Sequence, residues 1–268
     1  MAPPKKHSKP ATAKPASTPP QPPPNWPPLR PLVPPSDLSL ATLLPSQIAL
    51  IRNFWPSKLC KDYVSFLKTL PLVTTPGKPK KGDAVRVNDR FQVVDEGFAR
   101  RLWEETGLKG LILGDGEEKG EDAEEEKRIG ESERRELWGG EVVGLNPSIR
   151  IYRYTKGQFF DCHYDESNHL SLSNVPVKTT WTLLLYLTSP ATGCQGGETV
   201  FYPDEIVIPG KKNVVEEPVV VGLETGMVLL HKHGNDCMLH EGREVTDGEK
   251  WVIRTDLCVK KERSRFAD

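Results

Sequence analysis

The chain has 268 residues, with 36 basic and 37 acidic side chains and a formal net charge of −1. That length supports one well-buried core with a tail, and the balanced charge gives no reason to expect nucleic acid or an anionic membrane as a partner. No apolar run is long enough to span a bilayer. The opening Met1-Ala2-Pro3-Pro4-Lys5-Lys6-His7 lacks the apolar stretch of a secretory signal. Cys60, Cys162, Cys194, Cys237 and Cys258 are odd in number and scattered, with no C-x-x-C pair. Neither a zinc ribbon nor a disulfide framework is expected, and a reducing compartment, cytoplasm or nucleus, fits. Oligomeric state has no signature here.

Residues 1–36 are dominated by Pro, Lys, Ala and Ser and are expected to form a disordered or polyproline II tail. Lys5-Lys6 reads as part of that solvated tail rather than as an import signal. Residues 37–268 are expected to fold as a single domain. Residues 37–44 suggest a short helical turn and 47–54 a strand. Pro56-Ser57 opens a helix in which Leu59, Tyr63, Leu67 and Leu70 recur at helical spacing before Pro71. Residues 76–82 read as a basic loop. From 85 to 94 the period is two: Val85, Val87, Asp89, Phe91 and Val93 share one face, and Arg86, Asn88, Arg90 and Gln92 share the other. Asp95 is placed to cap a helix whose Phe98, Leu102 and Trp103 face the core. Residues 114–137 are so rich in Glu, Lys and Gly that they read as a charged flexible insertion, with an acidic partner-binding loop as the lesser reading.

From Ile149 onward, short strands alternate with turn signals, among them 174–176, 189–197, 203–212, Gly234-Asn235 and Asp247-Gly248. The fold expected is mainly β with supporting helices: a double-stranded β-helix, or jelly roll, with N-terminal α/β support.

Within that region stands His163-Tyr164-Asp165, and far downstream His240-Glu241-Gly242. On a strand, residues i and i+2 point to the same face, so His163 and Asp165 can aim at one metal while Tyr164 and Cys162 point away. Two imidazoles and one carboxylate suit non-haem Fe(II) and leave positions open for an oxidant and a co-substrate. His231 and His233 form a rival H-x-H pair, expected instead at a strand end or in solvent. His169 is expected in a loop.

The surrounding motifs resemble those of the 2-oxoglutarate/Fe(II)-dependent dioxygenases, and within them the prolyl 4-hydroxylase-like group. That group reads Y-x-x-G before H-x-D, then T-x-x-x-Y, then G-G-x-T-x-F, then H-x(4)-V-x-x-G-x-K-W. Here these are Tyr154 to Gly157, Thr182 to Tyr186, Gly196 to Phe201, and His240 with Val245, Gly248, Lys250 and Trp251. The resemblance covers residues 145–260 closely and extends more loosely to 48–54. It implies a catalytic domain using Fe(II), 2-oxoglutarate and O2, with ascorbate as a candidate reductant, and the metal ligands His163, Asp165 and His240. His240, unlike His231 or His233, carries the group's downstream spacing.

The resemblance also assigns Lys250 to the C5 carboxylate of 2-oxoglutarate, which needs a fixed cation when buried. Arg254 shares the strand face of Lys250 and is a second candidate cation. Tyr154 and Tyr186 fall at positions that contact the co-substrate, and Thr182 shares the face of Tyr186. Trp251 points to the core, and Gly196-Gly197 shapes a turn. Arg86, Asn88 and Arg90 are candidate substrate contacts. The leading substrate is a prolyl residue of a cytoplasmic or nuclear protein, which the lack of a secretory signal favours over collagen. A small molecule such as a free amino acid or secondary metabolite is the alternative, and a nucleic-acid demethylase a weaker one. A non-catalytic, metabolite-sensing interaction protein is the reading from another class, against which the intact triad and Lys250 argue.

Overall fold

The computed structural model describes residues 22–75, 84–114, 130–204 and 216–261. The apolar run after Gln47 pairs back on the preceding residues, giving strands β1 (Ala41–Leu44) and β2 (Ile48–Ile51). Helix α1 (Ser57–Leu67) follows and buries Leu59, Tyr63 and Leu67, as their spacing predicts, together with Cys60, while Leu70 lies beyond its end. Next come the short strands β3 (Val73–Thr74), β4 (Arg86–Val87) and β5 (Asp89–Val94), then three helices, α2 (Glu96–Glu104), α3 (Leu108–Leu113) and α4 (Glu131–Trp138). Asp95 caps α2, accepting from the Phe98 amide at 2.8 Å. That bond satisfies one of the orphan donors of the first turn.

The remainder is β: β6 (Val142–Leu145), β7 (Ser148–Thr155), β8 (Phe159–His163), β9 (His169–Leu172), β10 (Val175–Tyr186), β11 (Gln195–Gly196), β12 (Thr199–Tyr202), β13 (Val219–Val221), β14 (Val228–Lys232), β15 (Leu239–Gly242), β16 (Val245–Asp247) and β17 (Glu249–Lys260). Among the described residues, a large sheet runs β1-β2-β14-β10-β17-β7-β5-β3, and a smaller one runs β13-β12-β15-β8-β4. The two antiparallel sheets face one another as a jelly roll.

Strand alternation divides the apolar residues into two cores. On β17, Trp251 and Ile253 turn outward and join Trp181, Leu183 and Leu185 of β10 and the buried faces of α1 and α2. Val252, on the opposite face, joins Tyr152, Tyr154, Tyr186, Phe201 and Leu229 between the sheets. Lys250, Arg254 and Asp256 share its parity, so polar groups enter the interior from the central strand itself. Among the described residues no helix is long and apolar enough to cross a membrane.

Several expectations need correction. The Pro-rich tail is not free as far as residue 36: Leu29 is buried, Trp26 stacks on Phe98 with ring centroids 4.3 Å apart, and Tyr63 donates to the Pro27 carbonyl at 2.8 Å. Trp26 also donates to Asp95 at 2.7 Å. Pro composition concealed a segment that docks through one Trp and one Leu, burial of a Leu alone being worth about 1.5–3 kcal/mol. The charged insertion likewise ends in α4, whose Trp138 is buried and donates to the Ile112 carbonyl at 2.9 Å. Residues 76–82 and most of that insertion lie outside the described residues. Ala41–Leu44 is a strand rather than part of a helical turn, because it pairs with β2, and the 3-10 turn is Pro35–Asp37. His169 begins a strand, since β9 pairs with β10. The period-two run from 85 to 94 breaks at Asn88, where the chain crosses from the small sheet to the large one.

Candidate active site

His163 and His240 are cross-strand partners on β8 and β15. Each presents Nδ1 to a backbone carbonyl, Asp161 at 2.8 Å and Met238 at 2.9 Å. A carbonyl only accepts, so each Nδ1 carries the proton and each Nε2 keeps a free lone pair. Burial, with the neighbouring imidazole, lowers the His163 pKa to about 3, and burial also lowers that of His240, so both rings are neutral. Asp165 lies just past the end of β8 rather than within it. Its amide and carbonyl are held by Cys237 Sγ at 3.3 Å and the Gly234 amide at 2.9 Å. The Asp165 carboxylate stands 3.9 Å from His163 Nε2 and 3.7 Å from His240 Nε2. The three ligand atoms lie within 4.8 Å of one another. Two oriented lone pairs and one carboxylate fit Fe(II).

A second set, His231, Cys237 and His240, is equally close. It lacks a carboxylate, and burial pushes the Cys237 thiol up to about 11, so it stays protonated. His231 is not at a strand end in solvent, as expected. It is buried on the inner face of β14, with Nε2 3.7 Å from Asp165 Oδ2. His233 is buried too, with Nδ1 2.9 Å from Thr182 Oγ1 and Nε2 2.9 Å from Thr179 Oγ1. Asp165 can only accept, so the donor directions run Thr179 to His233, His233 to Thr182, and Thr182 to Asp165 Oδ2 at 3.0 Å. Both nitrogens of His233 are therefore engaged.

Arg254 also meets this carboxylate. Its Nη2 lies 2.9 Å from Asp165 Oδ2, and its Nε lies 3.6 Å from Asp256. Burial opposes the charge on Asp165, but Arg254, His231 and His240 outweigh it and hold the carboxyl well below its ordinary range. Burial likewise opposes the charge on Arg254, and Asp165 outweighs it. Asp256, fully buried, also takes Arg150 at 3.1 Å and Asn146 at 2.9 Å. Thr182 and Arg254 were expected at the co-substrate. Both bind Oδ2 of Asp165, because Thr182 on β10 lies opposite Asp256 on β17 and Arg254 is the next inward residue of that strand, and Arg254 also lines the cavity.

At the other end of the same cavity, Lys250 is 5 % exposed. Its Nζ donates to the Gly197 carbonyl at 2.6 Å and lies 5.4 and 5.5 Å from the ring centres of Tyr154 and Tyr186. Among the described residues no carboxylate comes within 4 Å of it. Burial, partly offset by Cys194 and Glu198, lowers its pKa to about 8. Gly196 and Gly197 both have positive φ, 71° and 74°. A Cβ on Gly196 would meet the Glu244 carbonyl at 2.4 Å, so glycine is required where this turn folds under Lys250. Tyr186 was expected to hold the co-substrate with its hydroxyl. That hydroxyl is bonded to Thr199 Oγ1 at 2.7 Å, and it is Thr199 that lines the cavity.

At the rim, the Arg86 guanidinium stands 5.0 Å from the Phe160 ring centre and 5.9 Å from that of Tyr152. Arg90 lies opposite Tyr152 on the neighbouring strand. Asn88 does not join them. It is fully buried and locked to Thr75, which removes it from the expected substrate face.

Residues 149–255 match the family described as the 2OG-Fe(II) oxygenase superfamily. That stretch is a 2OG-Fe(II) oxygenase domain, and it makes the chain a dioxygenase enzyme. This dioxygenase uses Fe(II), 2-oxoglutarate and O2. No curated protein matches it. Its fold is similar to that of several solved structures. One is the collagen prolyl hydroxylase of Paramecium Bursaria Chlorella virus-1 with 2-oxoglutarate, 15% identical over 80% of this chain and 96% of that one, with a TM-score of 0.47. Another is a prolyl hydroxylase of Trichoplax adhaerens in complex with a hypoxia inducible factor peptide fragment, 14% identical over 83% and 88%, with a TM-score of 0.49. A third is HygX of Streptomyces hygroscopicus with nickel and 2-oxoglutarate, 15% identical over 80% and 84%, with a TM-score of 0.47.

The dioxygenase thus brings His163, Asp165, His240, Lys250, Tyr154 and Arg254 to one cavity and leaves Thr182 and Tyr186 one layer behind it. Thr199 and Asp256 were given no role from the sequence, and His231 was expected at a strand end or in solvent. Period two along Val228–Lys232 puts His231 with the interior Leu229, a signal that was available.

Proposed function

We propose that this dioxygenase hydroxylates a prolyl residue of a cytoplasmic or nuclear protein, with Fe(II) held by His163, Asp165 and His240 and the far carboxylate of 2-oxoglutarate held by Lys250. One observation carries the site assignment. Lys250 is a buried cation without a carboxylate partner among the described residues, in the same cavity as three oriented metal donors. An unpaired buried charge is costly, and a dicarboxylate spanning the cavity supplies the missing partner. When bound, Fe(II) with 2-oxoglutarate and O2 supplies the oxidation that yields succinate and CO2 and places one oxygen atom in a substrate C–H bond.

The chain's own residues do the rest. The Asp161 and Met238 carbonyls fix the imidazole tautomers, and Arg254 and Thr182 hold the outer oxygen of Asp165. Tyr154 stands beside Lys250, and the walls of Leu184, Val252 and Phe160 keep water from the reacting centre. The prolyl assignment is supported by the order and spacing of the motifs from Tyr154 to Trp251. A reducing compartment is supported by five unpaired cysteines, one of them, Cys162, exposed.

The test incubates the protein with Fe(II), 2-oxoglutarate and separate pools of proline-containing peptides and of small metabolites, and reads a 16 Da gain by mass spectrometry. A gain on proline in the peptide pool is expected. A gain only among the metabolites sinks the protein-substrate reading.

A further inference from the structure

We propose that the substrate carries a carboxylate close to the carbon that is oxidised, and that Arg86 and Arg90 form the site that binds it. This rests on the peptide reading above: the carboxylate is then an Asp or Glu side chain, or a chain terminus, flanking the target proline.

The two arginines come from different sheets. Arg86 is on β4 of the small sheet, opposite Phe160 of β8, and Arg90 is on β5 of the large sheet, opposite Tyr152 of β7. Each is thus the cross-strand neighbour of a residue, Phe160 or Tyr152, that lines the cavity. The link to the metal site is direct. The Arg86 guanidinium lies over Phe160, and the Phe160 ring stacks on the His163 imidazole at 3.5 Å with an 18° interplanar angle. A group bound by Arg86 is therefore one aromatic ring away from a metal ligand.

Charge pairing separates these two arginines from their neighbours. Arg150 is paired with Asp256, Arg153 with Asp89, and Arg254 with Asp165. Among the described residues neither Arg86 nor Arg90 has a carboxylate within 4 Å, and Arg90 donates only to the neutral Gln92 amide at 2.5 Å. Both are half-buried, and Arg90 lies in the field of three further guanidiniums, those of Arg86, Arg150 and Arg254. Holding unpaired like charges together is unfavourable, and an arriving anion relieves it. Two planar forks suit the two oxygens of a carboxylate.

The test uses the whole chain with Mn(II) in place of Fe(II), so that no turnover occurs, together with 2-oxoglutarate and fluorescein-labelled proline peptides. These carry Glu, Gln or Lys beside the proline, and binding is read by fluorescence anisotropy. The Glu peptide is expected to bind about tenfold or more tightly than the Gln peptide. Arg86→Gln or Arg90→Gln should shrink that preference to about threefold or less, and Arg86→Glu should shift it toward the Lys peptide. Arg86→Lys keeps the charge, so partial retention with that variant separates charge loss from misfolding. Equal binding of Glu and Gln peptides by the unaltered protein overturns the proposal, and so does a preference that both Gln variants retain. If no peptide binds, the peptide reading fails on its own. Free amino acids and their carboxamides then decide the arginine site: competition lost on amidation sustains it, and equal competition overturns it.

Discussion

Arg254 Nη2 lies 2.9 Å from Asp165 Oδ2, so one side chain of the proposed iron triad is an ion pair before any metal arrives. The arginine takes the carboxylate oxygen that also accepts from Thr182. This aims the other oxygen toward His163. Outer partners of this kind fix the orientation of metal ligands and tune their basicity.

Replacing Arg254 by Met should therefore strip the buried Asp165 carboxylate of its arginine, at a cost of roughly 3–5 kcal/mol in stability. Iron affinity should fall, read by titration of the apo-protein with Fe(II) under anaerobic conditions. If iron binding survives and the 2-oxoglutarate requirement alone rises, Arg254 holds the co-substrate as first expected.

The histidines should separate cleanly. His163→Ala and His240→Ala should each abolish stoichiometric iron. His233→Ala should keep iron while lowering the melting temperature, because both ring nitrogens of His233 are used in the chain that ends on Asp165. Iron analysis beside thermal melts checks this, and loss of iron in His233→Ala with retention in His240→Ala reverses the assignment.

Lys250→Met should raise the KM for 2-oxoglutarate by about a hundredfold or more, since a buried charge pair that loses one partner typically forfeits roughly 3–5 kcal/mol. Iron should remain. An unchanged KM removes Lys250 from the co-substrate site.

The same lysine sets a pH dependence. Its pKa in the empty site is about 8, against an ordinary 10.5. Its protonated form is the one that pairs with a carboxylate, so 2-oxoglutarate affinity should weaken as pH rises above about 8. Stability of the empty protein runs the other way. The unfolded chain holds the proton more tightly between about 8 and 10.5, so the lysine's contribution rises with pH across that window. Calorimetric binding and urea melts at matched pH values measure both signs, and affinity that is flat across pH 7–9.5 contradicts the first.

Truncation distinguishes the two parts of the N-terminus. Removing residues 1–21 should leave the melting temperature unchanged, whereas removing 1–36 also takes Trp26 and Leu29 from the core and should cost roughly 3–5 kcal/mol. Equal melting of the two truncated proteins refutes the docking role of 22–36.

That His163, Asp165, His240 and Lys250 share one cavity was legible because motif spacing survives in a linear string, although Asp165 lies past the end of β8 and not on it. Period two on β17 already placed Lys250 and Arg254 on one face and Trp251 on the other. Tertiary structure alone decided who partners whom. Arg254 and Lys250 are both buried cations of one strand, yet among the described residues only Arg254 meets a carboxylate, because Asp165 arrives from the other sheet. Thr182 and Tyr186 turned out to be occupied by Asp165 and Thr199, Asn88 by Thr75, and Trp26-Pro27 by α1 and α2. Residue type and periodicity are local properties of the chain. Pairing across two facing sheets depends on register between strands far apart in sequence, and a one-residue slip there would present different side chains to the cavity.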